Sequence, residues 1–240
     1  MIRPTQLAVL RVELRDFLVV TWGLPARLVR PHLPAGLEPD LWRDASGSWA
    51  LVSAVCFRNE GMRPAWLPLG GLGFSQVNLR TYVRPAGGGG AGAFFLGMYF
   101  SSAAARGLQG LFSGVATRAE IEWGGGQAER EVFVRHEGQL AFRLRVSRGR
   151  AADPPPAAEL GTFITERPVG WFPRTGGGWG SIRVEHPPVR AEFLSVEECR
   201  CPALRGRGLH PGAAEGLAPV ALHAGRVLLR IHRPVRAGLG

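Results

Sequence analysis

The sequence contains no lysine, and all 29 of its basic residues are arginine. A lysine side chain forms the Schiff base in covalent catalysis on keto substrates, and arginine cannot replace it because the guanidinium stays protonated. Schiff-base chemistry on a lysine is therefore excluded. The net charge of +10 raises the alternative of an arginine-rich nucleic-acid binder. The arginines are scattered, however, without a basic cluster interleaved with stacking aromatic residues, so we expect no nucleic-acid partner.

Cysteine is scarce as well. The three cysteines Cys56, Cys199 and Cys201 are an odd number, which does not describe a disulfide framework, and their spacing is not that of a redox or zinc motif. The six histidines are dispersed, and the glycine runs match neither a phosphate loop nor a dinucleotide-binding loop. We therefore expect ordinary buried or half-buried thiols, no metal and no cofactor.

Long apolar runs are also missing, since no stretch of about 18 or more apolar residues occurs. The N-terminal residues lack a basic region followed by an apolar core and a small-residue cleavage site. These absences predict a cytoplasmic protein without a membrane partner. A homo-oligomer is compatible with the sequence but is not predicted by it.

What the sequence does contain is turn formers, with 34 glycines and 19 prolines, which favour many turns over long helices. Short helices are predicted at 25–33, 101–111 and 156–160, and the polar segment 148–156 is interpreted as a connection within one domain of residues 1–240. Short apolar runs between turn signals predict strands at 7–14, 48–57, 75–84, 93–101, 115–123, 130–136, 139–147, 163–172, 180–186, 189–199 and 225–232. The predicted fold class is mainly β (α+β), an antiparallel barrel-like sheet with a few short helices, because closure removes edge strands.

The most informative strand is 74–83, in which apolar and polar residues alternate. Gln76, Asn78, Arg80 and Tyr82 share one face. Such a row is often the solvent side of a strand. It can also line the interior of a barrel, where Arg80 would anchor a carboxylate, Gln76 and Asn78 would orient the ligand, and Tyr82 would donate a hydrogen bond.

The run from Val77 to Val83 resembles the N-x-R-T-Y-V signature of a bacterial family, domain of unknown function 2071. Further motifs resemble this family in the same order along the chain: Leu33-Pro34-Ala35-Gly36-Leu37, Gly92-Ala93-Phe94-Phe95-Leu96 followed by Ala103-Ala104-Ala105-Arg106, Phe163-Ile164-Thr165-Glu166-Arg167, and Glu185-His186-Pro187-Pro188. The family is similar to the acetoacetate-decarboxylase-like superfamily. The resemblance implies a β-rich barrel around a cavity, with the signature strand facing inward at alternate positions.

The sequence departs from that pattern where the chemistry of the decarboxylase resides. By order along the chain, the catalytic lysines of the decarboxylase would fall near Leu111-Phe112-Ser113-Gly114, which contains no lysine. The acid that begins the signature strand in relatives is replaced here by Gln76, which cannot shuttle protons. The family's "L-P-Y" run is absent after the helix, and Pro168 follows Arg167 where the family has tyrosine. The pocket chemistry therefore differs from that of the decarboxylase.

Three further residues have two interpretations each. Glu166 is either half of a surface ion pair with Arg167 or a lumen residue, and adjacent strand residues cannot both line a lumen. His186, before two prolines, is either a hydrogen-bonded turn residue or a general base. Arg106 either reaches toward a pocket or pairs with an acid such as Glu120 or Glu122.

The leading hypothesis is a small-molecule-binding barrel for an anionic metabolite, with the ligand-binding residues Gln76, Asn78, Arg80, Tyr82, Arg106, Glu166 and His186. If it is an enzyme, we expect a lysine-independent lyase, hydratase or isomerase acting on a small carboxylate or keto acid. The alternative is a non-catalytic sensor or protein-interaction module of the same fold. A nucleic-acid binder is the third hypothesis, prompted by charge alone.

Overall fold

A computed structural model describes residues 8–67, 70–111, 113–126, 128–148, 158–212 and 216–237. The helices are α1 (Ala26–Val29), α2 (Ala103–Gly110) and α3 (Ala158–Thr165), with 3-10 turns at Arg30–His32 and Pro202–Arg207. The strands are β1 (Ala8–Leu24), β2 (Leu37–Pro39), β3 (Leu41–Asp44), β4 (Gly47–Pro64), β5 (Leu72–Pro85), β6 (Gly92–Phe100), β7 (Ala116–Arg118), β8 (Glu120–Gly124), β9 (Glu129–His136), β10 (Gln139–Ser147), β11 (Val169–Pro173), β12 (Trp179–Glu185), β13 (Glu192–Arg200), β14 (Leu217–His232) and β15 (Val235–Ala237).

Seven strands form a barrel-like ring in the order β12-β11-β6-β5-β4-β1-β14. The ring is completed by pairing between β12 and β14, where Val184 is opposite Ile231 and Glu185 is opposite Arg230. Neighbouring strands of the ring are antiparallel except for β11 and β6, which are parallel. The predicted mainly β, barrel-like class with a few short helices is therefore confirmed.

A second layer continues from β14 through β13, β10 and β9 to β8. It covers one part of the outer face of the ring, and the larger hydrophobic core lies between the two. Ring residues such as Leu79 and Cys56 pack there with Val134, Phe142 and Leu144 of the second layer, all of which are buried.

A smaller core fills the inside of the ring, and α3 closes part of it. Leu160 and Ile164 of α3 belong to this core together with Val55 and Phe57 of β4. Strand β5 is buried on both faces. Its inner face packs into this smaller core, and Val77, Leu79, Thr81 and Val83 on its outer face are at most 2% exposed.

The structure corrects one predicted element directly. Residues 163–172 were predicted to form one strand, but the segment up to Thr165 belongs to α3, and β11 begins only at Val169. The helix has a physical reason in the sequence, since Leu160, Phe163 and Ile164 have the i, i+3, i+4 spacing of an apolar helix face. The helix predicted at 156–160 therefore lies too early, and its first two residues fall outside the described part of the chain.

Other differences concern the lengths of the strands. Strand β1 runs ten residues beyond the predicted 7–14, and Asp16, with φ of +50°, forms an irregularity that exchanges its inward and outward faces. The predicted strand 115–123 is two strands with different partners, since β7 pairs with β6 and β8 pairs with β9. β2, β3, β15 and the first half of β14 were not predicted.

Several turns and helices agree with the predictions. Gly124–Gly126 and Glu137-Gly138 lie in the turns of two antiparallel hairpins, and Ser102 caps α2 by accepting a hydrogen bond from the Ala105 amide.

Most of the polar segment 148–156 lies outside the described residues. The strand before it, β10, pairs with β13, which follows α3, β11 and β12 along the chain. In the part of the chain that the structure describes, no helix is long and apolar enough to cross a membrane.

Candidate functional site

A cavity of about 110 Å³ lies inside the ring, next to α3. Its wall contains two arginines and one histidine but no aspartate or glutamate among the described residues. The lining residues are Leu14, Phe17, Val55, Phe57, Asn78, Arg80, Ala93, Phe95, Thr165, Arg167, Val169, Gly170, Val184, His186, Val189, Val227 and Leu229. Cationic groups in a mostly apolar wall favour an anionic occupant.

The polar row of β5 faces this interior. Gln76 is opposite Phe57, Asn78 is opposite Val55 and Arg80 is opposite Ser53, and residues directly opposite in a sheet share a face. Gln76 and Asn78 are buried and Arg80 is half-buried. The structure therefore brings Asn78 and Arg80 to the cavity wall, with Gln76 behind them.

A short relay of amides fixes the orientation of Asn78. The Nδ2 of Asn59 donates to the Oε1 of Gln76 over 3.3 Å, and the Nε2 of Gln76 donates to the Oδ1 of Asn78 over 2.8 Å. The carbonyl of Asn78 is thereby occupied, which leaves its Nδ2 as a donor at the cavity wall. Gln76 consequently acts through Asn78 in this arrangement.

Arg80 connects the cavity to α3. Its Nη2 donates to the carbonyl oxygen of Ile164 over 3.0 Å, which satisfies one of the carbonyls that a helix leaves free at its C-terminal end. Its guanidinium carbon lies 5.4 Å from the centre of the Tyr82 ring. Among the described residues, the Nε of Arg80 is buried without a hydrogen-bond partner. A buried cationic N–H without an acceptor favours a bound acceptor at this position.

A second arginine, Arg167, lies beside the first and was not among the predicted site residues. Its Nη1 lies 2.5 Å from the Oδ2 of Asp40, and its Nε donates to the carbonyl of Phe163 over 2.6 Å. Arg84 binds the other oxygen of Asp40. Burial lowers the pKa of Arg167, and the hydrogen bond with Asp40 opposes that shift. Arg167 is thus paired with a buried carboxylate that does not line the cavity.

Tyr82 lies on the inward face but does not line the cavity. Its ring is fully buried, and its hydroxyl is 2.6 Å from the hydroxyl of Ser53, which is 2.7 Å from that of Thr21. The ring of Phe163 packs against it at 5.5 Å. The Tyr82 hydroxyl is therefore engaged with the ring wall, and its aromatic face supports both arginines.

The structure does not place two other predicted residues, Glu166 and Arg106, at the cavity. Glu166 is exposed, and its neighbour Arg167 lines the cavity instead. Arg106 is exposed on α2, where it lines a different surface depression with Arg118 and His136. Among the described residues no ion pair joins Arg106 to Glu120 or Glu122, and the Oε1 of Glu122 binds Arg135 at 2.9 Å.

His186 is half-buried and lines both the cavity and a larger outer groove. Its Nδ1 donates to the carbonyl oxygen of Pro187 over 2.9 Å, which leaves Nε2 as an acceptor when the ring is neutral. Both predicted interpretations of this residue are compatible with that geometry, because the turn hydrogen bond occupies only one ring nitrogen.

The outer groove, about 690 Å³ in volume, carries charges of both signs. Arg11 of β1 is opposite Arg63 of β4 and opposite Arg230 of β14, so three guanidiniums are adjacent in register. Glu13 and Glu60 lie in the same groove and bind Arg15 at 2.8 and 3.1 Å. The groove therefore lacks the single sign of charge that characterises the cavity.

The cysteines lie in the core between the two layers. Burial raises the pKa of Cys56 well above its usual range and that of Cys199 and Cys201 to about 12, so all three stay protonated at neutral pH. Cys56 and Cys201 are buried, and Cys199 is partly buried. Across the described ranges, no three metal-ligating side chains lie close enough together to hold an ion.

The comparisons with known proteins agree with this architecture. A family model described as an uncharacterized conserved protein, domain of unknown function 2071, matches residues 11–227. The chain belongs to domain of unknown function 2071. The resemblance carried by the sequence motifs is thereby confirmed. None of the curated proteins is a significant match to this family member.

Solved structures of acetoacetate-decarboxylase-like proteins share the fold of this family member. An acetoacetate decarboxylase-like enzyme from Sphingomonas wittichii RW1 has 16% identity and a TM-score of 0.63, with 99% of this chain and 98% of that chain covered. Acetoacetate decarboxylase from Legionella pneumophila has 14% identity and a TM-score of 0.64, with 100% and 94% covered. The enduracididine biosynthesis enzyme MppR, in complex with the condensation product of pyruvate and imidazole 4-carboxaldehyde, has 13% identity and a TM-score of 0.61, with 97% and 90% covered. At these identities the similarity establishes the fold.

Proposed function

We propose that this protein binds a small carboxylate metabolite inside the ring, with Arg80 as the anchor of the carboxylate. The observation that carries the proposal is the buried Nε of Arg80, which has no acceptor among the described residues and belongs to a side chain that lines a cavity without acidic side chains. A carboxylate oxygen would supply that acceptor. The Nδ2 of Asn78, two residues away on the same face, is positioned to donate to the same ligand.

Arg167 supports this function by charge and position. It lines the same cavity, and its bonds to Asp40 and Phe163 hold its guanidinium in place before a ligand enters. A receptor whose donors are already oriented loses little entropy on binding. Arg80, held by the Ile164 carbonyl, is preorganised in the same way.

The structural neighbours support a carboxylate as the ligand class. One MppR structure contains pyruvate, and acetoacetate decarboxylases are named for a keto acid. This family member has no lysine, so any reaction on such a ligand would not pass through a lysine Schiff base. If the protein is an enzyme, a lysine-independent lyase, hydratase or isomerase reaction fits a site with cationic donors and the free Nε2 of His186.

The second candidate function is a non-catalytic sensor of the same anion. It is favoured by Gln76, an amide that holds Asn78 and cannot transfer protons, and by the missing lysines. Turnover of a keto acid that is lost in Arg80→Gln and in His186→Gln would contradict it. Binding without turnover would support it.

Isothermal titration calorimetry of the purified chain with pyruvate, acetoacetate and butanoate tests the proposal. Arg80→Gln is expected to weaken binding by about ten- to a hundredfold, because it removes a charged hydrogen-bond donor. Arg80→Lys retains a cation beside α3 but lacks the planar fork, so it is expected to weaken binding as well.

The matched control is Arg106→Gln, which removes an arginine from an exposed helix outside the cavity. It is expected to leave the affinity unchanged. Equal affinities in wild type and Arg80→Gln, with both proteins folded by circular dichroism, would overturn the proposal.

A further inference from the structure

We infer that the cavity selects aliphatic monocarboxylates with an unsubstituted tail over dicarboxylates and hydroxy acids, an inference that rests on the proposed carboxylate function. It concerns the part of the ligand beyond the anchored carboxylate. Nothing in the arginine anchor itself distinguishes pyruvate from a longer acid. The selectivity for the tail comes from the arrangement of polar and apolar side chains along the cavity wall.

The hydrogen-bond donors of the cavity wall are concentrated on one side, and several of them are occupied. Arg167 is bound to Asp40 and Phe163, and the Oγ1 of Thr165 donates to the carbonyl of Gly161 over 2.9 Å. Donors left for a ligand on this side include the buried Nε of Arg80 and the Nδ2 of Asn78. Both serve a single carboxylate, because they project from positions two apart on one face of β5.

The wall that leads away from this anchor is apolar. Along β4, Ser53 is opposite Arg80, and Val55 and Phe57 follow on the same face at about 7 and 13 Å from it at the usual rise per residue. Leu14 of β1 and Val227 of β14, which pair with each other, continue the lining. The amides opposite Val55 and Phe57 are Asn78, which belongs to the anchor, and Gln76, which is bonded to Asn59 and Asn78. A tail of several carbons therefore lies mainly against apolar side chains.

His186 is the remaining polar group of the wall, and it does not change this outcome. It lies where the cavity meets the outer groove, and its Nδ1 is already bonded to Pro187. Its Nε2 is a single hydrogen-bonding site at the edge of the cavity, which does not replace the hydration of a second carboxylate. A second charge or a hydroxyl on the tail would therefore lose its hydration without full compensation inside the ring.

The experiment is calorimetric titration with acetate, butanoate, hexanoate and adipate, the last being hexanoate with its terminal methyl group replaced by a second carboxylate. Each methylene that is buried is expected to strengthen binding about fourfold, so hexanoate binds about sixteenfold more tightly than butanoate. Adipate is expected to bind at least tenfold more weakly than hexanoate. Val55→Thr adds a hydroxyl without changing the volume and should reduce the gain per methylene.

The control is Val235→Thr, the same change at a valine that is 51% exposed on β15, which should leave the series unchanged. An affinity that depends on Arg80 but is flat from acetate to hexanoate, or adipate binding as tightly as hexanoate, would overturn the inference and leave the proposed function standing. Absence of binding by every acid would overturn the proposed function, and the selectivity with it.

Discussion

The guanidinium of Arg167 and the carboxylate of Asp40 form a buried ion pair, with 2.5 Å between Nη1 and Oδ2, although 127 positions separate the two residues. The pair joins the segment after α3 to the segment that leads from β2 into β3. Its side chains are 4% and 8% exposed, so neither charge has water to replace its partner. It therefore fixes one wall of the cavity.

The first prediction concerns the stability of that wall. Asp40→Asn leaves the Arg167 guanidinium buried without a counter-charge, and it also removes the partner of Arg84. Breaking a buried ion pair on one side costs about 3 to 5 kcal/mol in the free energy of unfolding. Urea denaturation followed by circular dichroism measures this change. Glu38→Gln, which removes an exposed ion pair with Arg30, serves as control and is expected to cost less than about 1 kcal/mol.

The Tyr82 hydroxyl provides a test that separates stability from binding. Tyr82→Phe removes the hydrogen bond to Ser53 and is expected to lower the free energy of unfolding by about 1 to 2 kcal/mol. Because the hydroxyl points away from the cavity, carboxylate affinity should stay within a factor of two of the wild type by calorimetry. A tenfold loss of affinity would show that Tyr82 contacts the ligand, as the sequence pattern predicted.

Gln76→Glu tests the amide relay. A carboxylate at this position no longer donates to the Oδ1 of Asn78, and it adds a negative charge behind the cavity. Both effects oppose an anionic ligand, so the dissociation constant for butanoate should rise at least tenfold at pH 7.5. Gln76→Met, which removes the donor without adding a charge, is expected to give a smaller loss. Unchanged affinity in Gln76→Glu would contradict the relay.

The stability of the protein should decrease in weak acid because of His223 and Glu192. Burial lowers the pKa of His223 despite its hydrogen bond to Glu192, and the hydrogen bond from Arg148 lowers the pKa of Glu192. Arg130 and Arg148, the other charges near the imidazole, also oppose its protonation. A group with a lowered folded-state pKa contributes stability above its unfolded pKa and loses it as the pH falls.

The loss of stability therefore begins as the pH falls below the unfolded-state histidine pKa of 6.5. Protonation of Glu192 adds a further loss below its unfolded-state pKa of 4.5. Urea unfolding at pH 7.5 and pH 5.5 measures the first part. His223→Gln should reduce the difference between the two pH values. A difference that is equal in wild type and variant would assign the acid sensitivity to other groups.

The sequence allowed the main β class and the inward polar row to be predicted, because both depend on local patterns. The alternation from Val77 to Val83 placed Asn78 and Arg80 on one face, and the family resemblance turned that face inward. The alternation does not predict which of the inward-facing residues line the cavity. Tyr82 shares the face of Arg80 but lies two residues beyond it, where Phe163 of α3 covers its ring.

The Asp40–Arg167 pair could not be predicted, because it depends on contacts that are distant in sequence. The predicted strand over 163–172 implied that at most one of Glu166 and Arg167 lines the interior. In the structure both follow α3 outside any strand, and Arg167 lines the cavity. The apolar spacing of Leu160, Phe163 and Ile164 was the available signal for α3, which continues to Thr165 and so changes the direction of both side chains.

The most direct test of the central claim is a crystal structure of the protein soaked with 4-bromobutanoate, whose bromine is located by its anomalous scattering. The proposal predicts a carboxylate oxygen within hydrogen-bonding distance of the Nε of Arg80 and the bromine against Val55 or Phe57. A ligand bound only in the outer groove against Arg11 and Arg230, with no density beside Arg80, would contradict it.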